Sequence, residues 1–142
     1  MRKALFITTL LLTAALASAK DAPPIKLELT PVNLPTNILY FPGPVALEFA
    51  LTVTNPTNEP VTLKSLELRT VGPGAFTLRS GSVPVNKTVP PNSSVTMTLS
   101  TWGHVAGGYF RAEEPVSLNA IAYFSSGSKT FLRSVNTIIT PR

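Results

Sequence analysis

The sequence predicts an all-β protein, an antiparallel sandwich of about seven strands. Three observations carry the prediction. Residues 45–54, VALEFALTVT, alternate apolar and polar positions almost without interruption, the period-two signature of a strand with one buried face. Turn-forming clusters recur at short intervals along the chain: Asn55-Pro56, Gly72-Pro73-Gly74, Ser80-Gly81-Ser82, Pro90-Pro91-Asn92-Ser93 and Ser125-Ser126-Gly127-Ser128. Between them, no stretch of ten residues carries a helical period.

The chain opens on a segment that reads as a leader rather than as part of the fold. Arg2 and Lys3 precede an uncharged apolar run, Ala4 to Leu16, and Ala17-Ser18-Ala19 has the small-residue pattern of a cleavage site. The reading is a signal peptide over residues 1–19, cut after Ala19, and a single domain over residues 20–142. The run is short for a membrane span, so stable insertion is not expected after cleavage, an uncleaved anchor being the alternative. The expected location is secreted or periplasmic.

Ile25 to Leu29 is a first short strand, followed by a proline-punctuated edge or loop from Pro31 to Pro44. In the strand that follows, Val45, Leu47, Phe49, Leu51 and Val53 point one way and Ala46, Glu48, Ala50, Thr52 and Thr54 the other. It stops at Asn55-Pro56. Proline donates no ladder hydrogen bond and biases its predecessor away from helical angles, while asparagine side chains bond nearby backbone. NPTNEP is therefore a rigid connection, too long for a two-residue hairpin.

In VTLKSLELRTV, Val61 and Leu63 share one phase and Leu66 and Leu68 the other. A β-bulge at Lys64-Ser65 restores a single buried face. Ala75 to Arg79 reads as a short strand and Val83 to Val89 as a weak, interrupted extended segment. Ser94 to Ser100 alternates again, with Val95, Met97 and Leu99 inward and threonines outward. Thr101 to Glu114 is a long loop or contains a short helical turn. Val116 to Phe124 and Lys129 to Ile139 read as the two strands of a hairpin around Ser125–Ser128. Several short antiparallel strands in one domain's length point to a sandwich of immunoglobulin or fibronectin type III kind, an up-and-down barrel being the alternative.

Composition narrows the function classes. The 142 residues include no cysteine, which excludes disulfides and a thioether lipid anchor. Loss of Arg2 and Lys3 lowers the formal charge from +5 to +3, and the remaining basic residues are scattered, so no stripe tracks nucleic-acid phosphates. A hydrophobic share of 44% is enough to build a core despite 14 prolines.

The search for chemistry finds no catalytic constellation. His104 is the only histidine, and only Glu113 or Glu114 lies near it in sequence. A zinc site would need carboxylates for its remaining ligands. No acid is spaced to orient the histidine, and no G-x-S-x-G elbow is present. Glu113 and Glu114 as strand neighbours face opposite sides. The expectation is a protein that is not an enzyme and holds no metal or cofactor. Asn86-Lys87-Thr88 and Asn92-Ser93-Ser94 match the glycosylation tripeptide, which has meaning only in a eukaryotic secretory pathway. TWGHVAGGYF is the most unusual composition. Trp102, His104, Tyr109 and Phe110 around Gly107-Gly108 form either an exposed contact surface for a protein partner or plugs of the core at one end of the sandwich.

The segments PPIKLELTPVNL and VALEFALTVTNPTNEPVTLKSLELR, with GSVPVNKTVPPNSSVTMTL behind them, resemble the late embryogenesis abundant type 2 family, whose unit is also called the water stress and hypersensitive response (WHy) domain. The likeness spans Pro23 to Leu99, and Asn55-Pro56 is its most specific element. It implies an immunoglobulin-like or fibronectin-like sandwich, non-enzymatic, that protects client proteins during dehydration or stress. The C-terminal third departs from that pattern. Its Trp…Gly-Tyr order, with LTVTNPTNEPVTL, is similar to the BsuPI-type proteinase inhibitor sandwich. That likeness implies the alternative, a specific interaction module of the cell envelope: an inhibitor or the subunit of a complex.

Overall fold

The computed structural model describes residues 22–33, 44–79, 81–105 and 114–140. These form eight strands: β1 (Lys26–Asn33), β2 (Pro44–Asn55), β3 (Val61–Thr70), β4 (Phe76–Leu78), β5 (Gly81–Val89), β6 (Ser93–Val105), β7 (Val116–Ser126) and β8 (Lys129–Ile139). They make two four-stranded antiparallel sheets, ordered β1-β2-β6-β4 and β5-β3-β7-β8. The protein is an all-β sandwich. Its sheets follow the immunoglobulin arrangement, with β1-β2-β6 in the places of A-B-E and β3-β7-β8 in those of C-F-G. The barrel alternative is excluded by the two separate sheets. Residues 1–19 and the cleavage after Ala19 lie outside the described residues.

The described residues hold eight strands, in keeping with the expected count of about seven, and the weak segment Val83–Val89 lies within β5. Pro84 and a left-handed Asn86 (φ 51°) interrupt its pattern, yet it pairs with β3 over most of its length. Both irregularities are tolerated because β5 is an edge strand, where a missing N–H faces no second neighbour.

The alternating positions of β2 bury as the period requires. Leu47, Phe49, Leu51 and Val53 lie in the core, with Val45 packed against it. In β3, the register slips between Leu63 and Ser65 against both β5 and β7. That bulge leaves Lys64 exposed and lets Val61, Leu63, Leu66 and Leu68 all reach one core. The β7–β8 turn is two residues long, Gly127-Ser128. Gly127 has φ 57°, the conformation that a type II′ hairpin requires at its first central position.

The core fills the space between the inner faces. Phe49 and Phe76 from one sheet meet the layer of Phe124, Leu63, Leu66 and Leu118 from the other. The open side between β1 and β8 is closed by the segment before β1. The Arg133 guanidinium donates to the carbonyls of Ala22 (3.1 Å) and Pro23 (2.6 Å), and Ile25 beside them is buried.

Candidate functional site: an aromatic sheet face and an asparagine corner

The structure corrects the reading of Thr101–Glu114 as loop from its first residue. β6 continues to Val105 because β2 offers partners along its whole length, down to Pro44 opposite His104. The period that places Val95, Met97 and Leu99 inward runs on to Gly103, which is buried. Trp102 and His104 therefore point outward with Thr96, Thr98 and Ser100. Trp102 is 55% exposed, so it is not a plug of the core, and His104 is exposed as well. Tyr109 and Phe110 lie outside the described residues.

The neighbours of Trp102 follow from the ladder. Ala46 of β2 stands directly opposite it on one side. On the other, the Arg79 N–H donates to the Trp102 carbonyl at 2.9 Å, which places Arg79, just past β4, next to Trp102 in the ladder. Thr77 and Pro44 flank His104. Ala46, directly opposite, carries a methyl group only, and Glu48 stands on the diagonal. Towards the other end the same face becomes a hydroxyl ladder. Thr52 and Thr96 hydroxyls lie 2.9 Å apart, and Thr54 and Ser94 hydroxyls 2.8 Å apart.

Thus a large amphipathic ring stands on a strand paired on both sides, with Arg79, His104 and Glu48 around it. Its backbone is ordered before any partner arrives, which reduces the entropy lost on binding. Among the described residues no three His, Asp or Glu side chains gather as a metal-binding group. Arg79, Ala46 and Thr77 were not singled out from the sequence, since only strand register makes them neighbours of Trp102. Extending the period of 95–99 by three residues would have found the outward direction of Trp102 itself.

Gly103 explains why the strand can pass here. A Cβ at this position would lie 2.8 Å from Leu47 Cδ1 and 3.3 Å from the Thr77 carbonyl oxygen. We expect Gly103→Ala to cost about 1–3 kcal/mol in urea unfolding. The loss should shrink in a Leu47→Val background, which frees the space. An equal loss in both backgrounds would refute the close approach as its cause.

The Asn55-Pro56 corner behaves differently. Asn55 is fully buried, the only buried polar side chain among the described residues. Its amide nitrogen donates to the carbonyls of Glu59 (2.8 Å), Pro90 (3.1 Å) and Val89 (3.2 Å). Its carboxamide oxygen accepts from the Thr57 hydroxyl (2.7 Å) and N–H (3.1 Å). The Asn92 N–H donates to the Thr57 carbonyl, and the Asn92 amide to the Asn58 side-chain oxygen. Asn55 therefore ties the β2–β3 loop to the β5–β6 loop. Pro56 is exposed beside it. The second loop is what the sequence did not reveal, because residues 89–92 are distant along the chain. Asn86 and Asn92, the two asparagines of the glycosylation tripeptides, are both exposed.

The fold and this face define a β-sandwich with a rigid, aromatic-bearing sheet surface. No family model and no curated protein matches the chain. Solved structures do resemble it. Northeast Structural Genomics Consortium target SoR45 is 11% identical, with a TM-score of 0.56, covering 82% of this chain and 84% of its own. The putative ApaA protein from Bordetella pertussis is 9% identical, with a TM-score of 0.54, covering 82% of this chain and 92% of its own. At such identities the likeness bears on fold alone.

Proposed function

We propose that this chain is a non-enzymatic interaction module of the secreted or periplasmic space, and that it docks one protein partner on the Trp102 face. The observation that carries the reading is the 55% exposure of Trp102 near the end of β6, where β2 pairs with the strand on one side and β4 with Arg79 holds it on the other. Tryptophan and arginine are both enriched in binding hot spots, and a fold gains nothing by exposing an indole so fully. An inhibitor or a complex subunit fits this description.

The reading is tested with Trp102→Ala. The folded state loses little, so stability should stay within about 0.5 kcal/mol of wild type. Affinity for a partner isolated by cross-linking from the host's envelope or secreted fraction should fall about 30-fold or more, as expected when a hot-spot side chain is truncated. Unchanged affinity in a folded variant would reject this face as the docking site.

The second reading is protection of client proteins during drying, as implied by the resemblance to the water-stress family. The hydroxyl ladder of Thr52, Thr96, Thr54 and Ser94 favours it, as an ordered polar surface able to hold water or replace it at a client. A labile enzyme dried and rehydrated with this protein should then recover more activity than with an equal mass of an unrelated β-sandwich. Here Trp102→Ala should change nothing.

A further inference from the structure

Among the described residues, three of the four sheet edges have a backbone interrupted or too short for strand addition; the fourth, β8, is guarded only by the inward Arg133. β1 contains Pro31 and an irregular register between Pro31 and Asn33. β4 is three residues long. β5 contains Pro84 and the left-handed Asn86. Prolines, bulges and shortness are the usual means of keeping an edge from pairing. β8, Lys129–Ile139, has no proline, no glycine and a continuous register with β7. Among the described residues, no backbone group outside β7 bonds to it.

The direction of its free hydrogen-bonding groups follows from the hairpin. With a two-residue turn, Ser126 and Lys129 are a hydrogen-bonded pair. Antiparallel pairs alternate, so Phe131, Arg133, Val135, Thr137 and Ile139 bond to β7. Thr130, Leu132, Ser134, Asn136 and Ile138 aim their N–H and C=O groups at the open edge. The same five residues turn their side chains to the outer face, and none is charged. A second copy of this basic chain would therefore meet no like charge on the outer face of β8. The cations of β8 are Lys129, at the turn, and Arg133 on the inner face, whose guanidinium donates to the carbonyls of Ala22 and Pro23 and also to the outward carbonyl of Leu132 (3.1 Å), an acceptor that a second strand would share.

Exposed apolar groups concentrate at this edge. Ile138 is 70% exposed, Leu132 53%, and Tyr123, opposite Leu132 on β7, 38%. The spacing of Leu132 and Ile138 is symmetric about Val135. We propose that β8 is a homodimerisation edge, on which two copies pair antiparallel about a twofold axis at Val135 so that Leu132 of each meets Ile138 of the other. In this register Ser134 faces Asn136 of the second copy. Both pairs join residues whose backbone groups point outward, so the ladder closes without a slip. A twofold centred on Ser134 would instead set Leu132 against Asn136, and one centred on Asn136 would set Ile138 against Ser134. Only the Val135 axis buries both apolar side chains together. Because the dimer uses up the one edge of each copy with a long uninterrupted backbone, growth stops at two.

Sedimentation of the purified protein over a concentration series should show a monomer–dimer equilibrium; a monomer at every concentration overturns the proposal. Ser134→Pro removes an outward N–H that β7 does not use, so the monomer should keep its melting temperature. The dimer loses two symmetry-related hydrogen bonds, and its dissociation constant should rise about 30-fold or more. An unchanged constant in the folded variant overturns the edge. Should Ser134→Pro not fold, Leu132→Thr with Ile138→Thr changes only exposed side chains and must likewise weaken the dimer. The cysteine-free chain allows a test of register. Ser134→Cys mixed with Asn136→Cys should cross-link under oxidation, and neither should do so alone. Cross-linking of Ser134→Cys alone would overturn the Val135 axis.

Discussion

Replacing Asn55 with alanine is expected to destabilise the protein by about 3–4 kcal/mol, among the largest losses for one polar residue. The side chain is fully buried and serves three carbonyls, those of Glu59, Val89 and Pro90, besides accepting from Thr57. Truncation leaves those carbonyls beside a space with no donor, and buried polar groups without partners lose their hydration with nothing in return. For a domain of this size the melting temperature should fall by roughly 10–20 °C. Asn55→Asp, nearly isosteric, should be worse at neutral pH, because a carboxylate would face the three carbonyl oxygens. Burial and those oxygens raise the folded-state pKa of the introduced carboxyl above its unfolded value. Between the ordinary aspartate value and the raised one, the folded state then holds more protons, so stability falls as pH rises through that window. Below it, both states are protonated and the variant is at its best. Pro56→Ala, at an exposed position, should change stability by less than about 1 kcal/mol. Thermal melts of the three variants at two pH values decide the matter. A loss below about 1 kcal/mol for Asn55→Ala would mean that water or local rearrangement replaces the amide.

What could be read from the sequence divides along a physical line. The faces of β2, the bulge at Lys64-Ser65 and the β7–β8 hairpin were legible, because each is decided within a few residues by alternation or turn chemistry. The turn propensity of Asn55 was legible for the same reason. Its bonds to Val89 and Pro90 were not, since they join segments more than thirty positions apart. β5 read as weak because Pro84 and Asn86 contradict strand propensity, and its position at an edge overrides that contradiction. The extension of β6 was hidden by glycine. Gly103 looks like a loop residue, yet it is there because Leu47 fills the volume that a side chain would take. With the extension missed, Trp102 stayed ambiguous between core and surface, and Arg79 had no visible relation to it.

Phe124→Ala should cost about 4 kcal/mol, the middle of the range for a buried aromatic. Phe124 is fully buried on β7 and stacks on Phe131 of β8, with ring centroids 5.3 Å apart and planes 14° from parallel. The Arg133 guanidinium lies 5.7 Å from the centroid of Phe131 and holds the carbonyls of Ala22 and Pro23. One ring thus supports a series of contacts: the core, the inner face of β8, and the segment that closes the sandwich before β1. Most of the loss comes from the cavity, and the stacked pair adds about 1 kcal/mol. Phe124→Leu keeps most of the volume and should cost no more than about 1.5 kcal/mol. In urea the midpoint should move while the slope stays constant, as for a change in native packing alone. A changed slope would mean that the Ala22–Ile25 segment detaches before the core melts. In that case the closure between β1 and β8 depends on the Phe124–Phe131–Arg133 series rather than on burial of Ile25, and Arg133→Met alone should reproduce the changed slope.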